Sequence, residues 1–323
     1  MGGVAAVAVL ATIVAAVLLF GDGGSGGPKG GSDNGAGQET AAVASARDTG
    51  PVAVITDDPS CTAWSAINNE LANSGQGLWN DRDRSVPASG WNPKQRAQFI
   101  AAGQSMRSAA AQTVGLVKLT PHRVMRELYQ QFIAYARAYS ERIPKYTPAD
   151  NNLAGAANSA SSALGSICAA IADGSAAARG PLVTPSPPPS DIAPVGNLAS
   201  PQPFLTSDNN VCREWKSALD QFGQQTAQWQ QMDPNIPSIY WNKEQKAVNY
   251  AVGPVMNSFA GKLEQLGRQS DNAIWQDFAN LSAQYRRAFV TALPTYTPTD
   301  NHLANAANFA STTILGGCAA VAD

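Results

Sequence analysis

Few side chains in this 323-residue chain are of the types that do catalysis or hold metals. The cysteines are Cys61, Cys168, Cys212 and Cys318, and the histidines are His122 and His302. No CxxC pair occurs, and no HExxH, GxSxG or phosphate-loop pattern is present. The residues therefore point to no metal, no cofactor and no catalytic residue. An even, widely spaced cysteine set behind a hydrophobic N-terminus reads instead as two disulfides formed in an oxidising compartment. Four buried free thiols are the rival reading. Two carboxylates, Asp150 and Asp300, recur in the same local pattern, YTPAD and YTPTD. Threonine, then proline, then an acid three positions on is the pattern of a helix start, so both acids read as caps rather than as acid–base groups.

Those two caps open a segment that is written twice. Tyr146–Asp173 and Tyr296–Asp323 are identical at about 17 of 28 positions, with an offset of roughly 150 residues. The repeat reaches further back. Cys61 and Trp64 correspond to Cys212 and Trp215, Trp79 to Trp229, and Trp91-Asn92 to Trp241-Asn242. Tyr135 and Arg137 correspond to Tyr285 and Arg287. A period this long is a domain copied once, not a solenoid repeat. The histidines fall at non-equivalent places, opposite Asn272 and Asn152, so a chemistry shared by both copies does not use histidine.

Ala and Gly are abundant while Val and Ile are thin, which favours helix over strand. Each copy reads as four helices. The first runs over about 59–74 behind DDPS, with Cys61, Trp64, Ile67 and Leu71 on one face. The second starts at WNPKQ, with Asn92 as cap, and at WNKEQ in the other copy. The third starts at LTPHR with Thr120 as cap, and the fourth at YTPAD. In an up-down-up-down bundle the first turn of the first helix and the end of the fourth lie at one end. That placement predicts the pairs Cys61–Cys168 and Cys212–Cys318.

The expected fold class is all-α: an N-terminal transmembrane helix followed by two tandem, duplicated four-helix bundles, each with one disulfide. Gly3–Phe20 is an 18-residue apolar run, just enough to span a bilayer core, with a signal peptide as the rival. The boundaries read as 1–20 anchor, 21–56 Gly/Ser-rich tether, 57–173 first domain, 174–207 Pro-rich linker and 208–323 second domain. The linker reads as a stiff spacer that holds the domains apart.

Three groups of residues are candidates for binding. Asn158 and Asn308 stand two turns into the Ala-rich fourth helices, either as buried hydrogen-bonders or facing a ligand groove. Arg137 and Arg287 are solvated cations, ion-pair members or anion binders. Lys94, Arg96, Arg107, Lys118, Arg123, Arg126, Arg142 and Lys145 give the first copy a basic excess that the second lacks. They read either as a solvated pair of helices or as a contact for anionic lipid or an acidic wall polymer. The net charge of −2 argues against nucleic acid.

The Ala-rich, proline-linked, singly anchored plan, with its YTPxDNxLAxAAN…CAA segment, resembles uncharacterised single-pass envelope proteins of actinobacteria, mycobacteria in particular. The resemblance implies an extracytoplasmic membrane protein with an envelope protein partner, and it carries no site residues. Together these observations lead to the expectation of a non-enzymatic binding or scaffolding ectodomain. The alternative is a small-molecule or lipid binder with a groove between the helices of each bundle.

Overall fold

The computed structural model of the chain describes residues 43–75 and 82–322. Among them every long element is helical: α1 Cys61–Gly75, α2 Pro93–Thr113, α3 Leu116–Leu119, α4 Arg123–Arg142, α5 Asn151–Ala172, α6 Ser175–Arg179, α7 Cys212–Gln225, α8 Lys243–Gln269, α9 Ala273–Ala292 and α10 Asn301–Val321. The first copy packs α1, α2, α4 and α5 together, and the second packs α7, α8, α9 and α10 in the same order.

Local chemistry sets the helix starts. Asn92 and Asn242 each accept from the glutamine N–H three residues on, and each glutamine side chain accepts from the asparagine N–H. Asp150 and Asp300 close the same reciprocal box with Thr147 and Thr297, within a 3₁₀ turn that leads into α5 and α10. Thr120 departs from expectation. Its hydroxyl donates to Asp58 Oδ2 at 2.5 Å and accepts from the His122 N–H, and α4 begins at Arg123. The hydroxyl therefore ties the chain before α1 to the start of α4 rather than capping a helix.

The core of each copy is aromatic. Trp64 and Trp215 are fully buried, each packed edge-on against an aromatic of the third long helix. Trp91 stacks on Phe99 at 4.2 Å and Trp241 on Tyr296 at 5.5 Å. Each of these two indole N–H groups donates to a main-chain carbonyl five residues back, at Val86 and Ile236. Disulfides join Cys61 to Cys168 and Cys212 to Cys318, with Cα atoms 5.2 and 5.6 Å apart. Each closes a loop of just over 100 residues, worth about 4–5 kcal/mol in the chain-entropy account.

The two copies do not stand apart. The described residues form one compact unit, and its centre is the segment that is written twice. Helices α5 and α10 lie against each other in opposite directions: Asn152 at the start of α5 donates to Ala319 O near the end of α10 at 2.9 Å. Conversely, His302 at the start of α10 meets Asp173, just past α5, at 3.1 Å. The small residues are the reason they fit. A Cβ on Gly316 would lie 2.7 Å from the Ala156 Cα, so the helices approach to backbone contact.

The chain before each first helix crosses to the other copy. Val52, Val54 and Ile55 are buried, and the Ile55 N–H and C=O both meet the Tyr285 hydroxyl at 3.3 Å. The equivalent residues, 150 positions on, do the reverse. The Phe204 N–H donates to Gln131 of α4 at 2.8 Å, and its ring sits edge-on to Tyr135. Ordered chain thus begins well before the expected boundary at Thr56.

The Pro-rich linker is not a free spacer either. Its carbonyls accept from Gln130 at Val195 and from Arg137 at Ala199, and its Ser186 N–H donates to Val52 O. Proline-rich extended chain makes no internal hydrogen bonds, so its carbonyls are free to take side-chain donors from the helices beneath.

A further expectation is corrected. No helix among the described residues is long and apolar enough to cross a membrane, so the structure does not support a single-pass membrane protein. The most apolar helices, α5 and α10, are rich in Ala, Ser and Asn and spend their apolar faces on each other. The run Gly3–Phe20 and the glycine-rich stretch after it lie outside the described residues.

Two outcomes are expected. Gly316→Ala should destabilise the protein by about 1–3 kcal/mol through overpacking against α5. Gly261→Ala, on a helical position with nothing within 4 Å of the added Cβ, should stabilise it by roughly 0.5–1 kcal/mol. Denaturant unfolding of the two variants checks the opposite signs. Segments 57–173 and 208–323 expressed singly should be unfolded or self-associated, and should give a folded 1:1 complex when mixed. Analytical ultracentrifugation with circular dichroism would show it, and two monomeric, cooperatively folding halves would contradict it.

Candidate functional site

The basic residues of the first copy divide by burial. Lys94, Arg96 and Arg107 are exposed on α2, and Arg142 and Lys145 are exposed after α4. Lys118 is half-buried. Arg123 and Arg126 are only 2% exposed and touch no outer surface. The structure thus gives no support to an anionic lipid or wall-polymer contact made by this set. Arg123 and Arg126 stand instead where α4 meets α9. Arg123 grips Asp277 of α9 through Nε at 2.6 Å and Nη2 at 3.1 Å. Its Nη1 donates to the carbonyls of Asp48 and Gly50, at 2.8 and 3.2 Å. One guanidinium therefore joins both copies and the incoming chain. Arg126 donates to Ser45 O and lies 3.5 Å from Glu127.

The four remaining candidates are not brought together. Asn158 is half-buried and Asn308 exposed, on the two antiparallel central helices. Neither is among the residues that line the two grooves described below. Arg137 and Arg287, equivalent in sequence, do different work. Arg137 donates to the linker carbonyl of Ala199, while Arg287 makes a two-point bond to Glu264 at 2.5 and 2.7 Å. That ion pair lines an open groove of about 460 Å³ between the linker residues Leu182–Pro187 and helices α8 and α9. The Arg287 charge is already met by Glu264, which disfavours capture of an anion there. A smaller groove of about 260 Å³ runs between α1 and α2, beside Ile67, Glu70 and Gln104.

The capping acids carry a second role that the sequence pattern does not show. Asp300 is buried, and Arg179 of α6 clamps both its oxygens at 3.1 Å while donating to Thr295. This fixes the start of the linker to the second copy. Asp150 has a weaker partner in the exposed Arg142 at 3.8 Å.

Another buried cation pairs with no carboxylate among the described residues. Arg286 lies against the stacked rings of Phe222 and Phe259, 4.6 and 4.8 Å from their centroids, and its guanidinium is pushed down to about 9 by burial. Its counterpart in the first copy is Ala136, so sequence equivalence gives no warning of it.

A different kind of surface stands out on the second copy. Ile239 and Tyr240, in the 3₁₀ turn before α8, are 77% and 73% exposed, and Tyr250, two turns into α8, is 50% exposed. The first copy carries Ser89, Gly90 and Ile100 at these places. Comparison of the copies is the signal that finds this patch: where the repeat is otherwise close, the second copy replaces Ser-Gly with Ile-Tyr on an exposed turn.

Removing the Arg123 guanidinium leaves Asp277 buried and unpaired. Arg123→Ala should therefore destabilise the protein by about 3–5 kcal/mol. Lys94→Ala and Arg107→Ala, on the exposed face, should stay within about 0.5 kcal/mol of the parent. Chemical denaturation of the three variants distinguishes the buried joint from the solvated face.

No solved structure matches the chain. An uncharacterised protein of Mycolicibacterium smegmatis (strain MKD8) is 49% identical over 281 residues, covering 87% of this chain and 74% of its own length. The mycobacterial resemblance is borne out at that level. The pattern of a family described as mycobacterial ESX-1 associated protein matches residues 43–322, both copies together with the arm before α1 and the linker between them. The chain belongs to the mycobacterial ESX-1 associated protein family.

Proposed function

We propose that the protein is a non-enzymatic binding or scaffolding component that holds a protein partner of the ESX-1 secretion system. The observation that carries this reading is the exposed Ile239–Tyr240 turn with Tyr250 close by in sequence. Large apolar and aromatic side chains on an exposed turn are the usual anchors of protein interfaces. The counterpart turn of the first copy carries Ser89 and Gly90, so a partner that reads Ile239 and Tyr240 engages one end of a pseudo-symmetric molecule. The family description supplies the class of partner. The rigid frame around the patch fits a scaffold: the turn follows from Pro237, and Trp241 directly behind it is buried and bonded to Ile236 O. The alternative of a small-molecule or lipid ligand receives less support, because the groove beside Arg287 is open and its charged pair is internally satisfied.

The test places a photo-crosslinking amino acid at position 240, and separately at the equivalent position 90, in mycobacterial cells that express ESX-1. The expected result is an adduct with an ESX-1 protein from position 240 and none from position 90. The double substitution Ile239→Ser with Tyr240→Ser should weaken binding of the captured protein at least about tenfold, the loss of a typical interface anchor. No adduct from position 240, or equal adducts from both positions, would sink the proposal.

A further inference from the structure

Glu127 of α4 and Asp277 of α9 are equivalent positions of the two copies, 150 residues apart. Both are buried, each about 1% exposed, and both belong to one cluster where α4 crosses α9: Arg123, one turn before Glu127, grips Asp277, and Arg126 lies 3.5 Å from Glu127. Equivalent residues that share one cluster lie at the axis relating the copies. This pair therefore marks the point where the two halves cross.

Two carboxylates cannot hydrogen-bond without a proton between them, since each is then only an acceptor. The surroundings say which one holds it. Asp277 receives both arms of the Arg123 fork, as an ionised acid does. Glu127 has one contact with Arg126, at 3.5 Å, and no N–H or O–H among the described residues reaches its Oε2.

The charge balance agrees. The groups that face the pair are Arg123 and Arg126 on its own helix, Asp277 on α9 and Asp48 on the chain that crosses in front. The two cations are matched by Asp277 and Asp48. An ionised Glu127 would add an unmatched negative charge at a site away from water. Burial, and then the neighbouring charge of Asp277, push the Glu127 carboxyl well above its ordinary range.

We propose that the two halves of the molecule are latched at their axis by one proton shared between Glu127 and Asp277, so that the seam between α4 and α9 is a pH-responsive element. The latch is closed while Glu127 is protonated and loosens as rising pH removes the proton. The direction follows from linkage. The folded protein binds a proton that the unfolded chain releases above the ordinary glutamate range. The stability due to it is fully present below that range and is lost as pH rises through the folded-state value. Within that window the folding equilibrium constant falls roughly tenfold per pH unit for one proton.

The experiment uses the full oxidised chain. Unfolding at neutral pH in weak buffer, followed with a pH indicator, is expected to release about one proton from the parent that Glu127→Gln does not release. The glutamine amide keeps the shape and donates to Asp277 in place of the proton, so this variant should fold. Its stability should fall less steeply with pH than the parent's. Infrared spectra of the parent alone supply a measurement independent of any variant: the carbonyl band of a protonated carboxylic acid should be present at neutral pH and disappear at alkaline pH while the disulfides remain intact. Absence of that band at neutral pH, or the same proton release and pH slope in parent and Glu127→Gln, would overturn the proposal.

Discussion

The backbone-to-backbone approach of α5 and α10 is the constraint on which the rest of the molecule depends. Two helices approach this closely only where the side chains between them are missing or nearly so. Ala156 facing Gly316 meets that requirement. Once these helices lie antiparallel, each copy must present its fourth helix to the other, and the remaining helices are arranged around the pair. The near-identity of the segment in both copies then has a physical meaning. Under a two-fold relation both helices meet a similar steric demand, answered by small residues on each, with Ser166 standing where the other copy has Gly316.

The seam is reinforced by exchange. Each copy lends the stretch before its first helix to the other, so that Ile55 meets Tyr285 and Phe204 meets Gln131. Phe204 lies edge-on to Tyr135 in one copy and to Trp275 and Phe278 in the other. Apolar contact of this kind carries most of the association free energy. The Arg123–Asp277–Glu127 cluster adds little net energy, because desolvation offsets its attraction. Its contribution is register: a misplaced seam would leave several charges buried and unpaired.

The disulfides and the linker act at the edges of this arrangement. Each disulfide joins the first helix of a copy to the last, which holds α1 and α7 against the central helices. Arg179 on Asp300 then anchors the linker at one side, and Arg137 and Gln130 hold it at the other. A chain tied down at both ends in this way fixes how the copies sit while leaving the turn at Ile239–Tyr240 in solvent.

Much was decided by sequence alone. The duplication, the helical class, the caps at Asn92, Asn242, Thr147 and Thr297, and the burial of Trp64 and Trp215 follow from local hydrogen bonding and from side-chain periodicity, which act over a few residues. The placement of the first and last helices of each copy also made the cysteine pairing legible. What only the tertiary structure decided is what lies across the seam. Arg123 and Arg126 look like members of a basic surface because charge counted along the chain carries no sign of burial. The carboxylate that holds Arg123 lies in a different element: Asp277 is 154 residues away. Asn158 and Asn308 are conspicuous in an Ala-rich helix, but the small residues beside them are used to bring two helices together. The prolines of the linker read as stiffness, which is local. Whether a stiff chain spans a gap or lies along a surface depends on which donors face its carbonyls, and only the folded arrangement of both copies sets that.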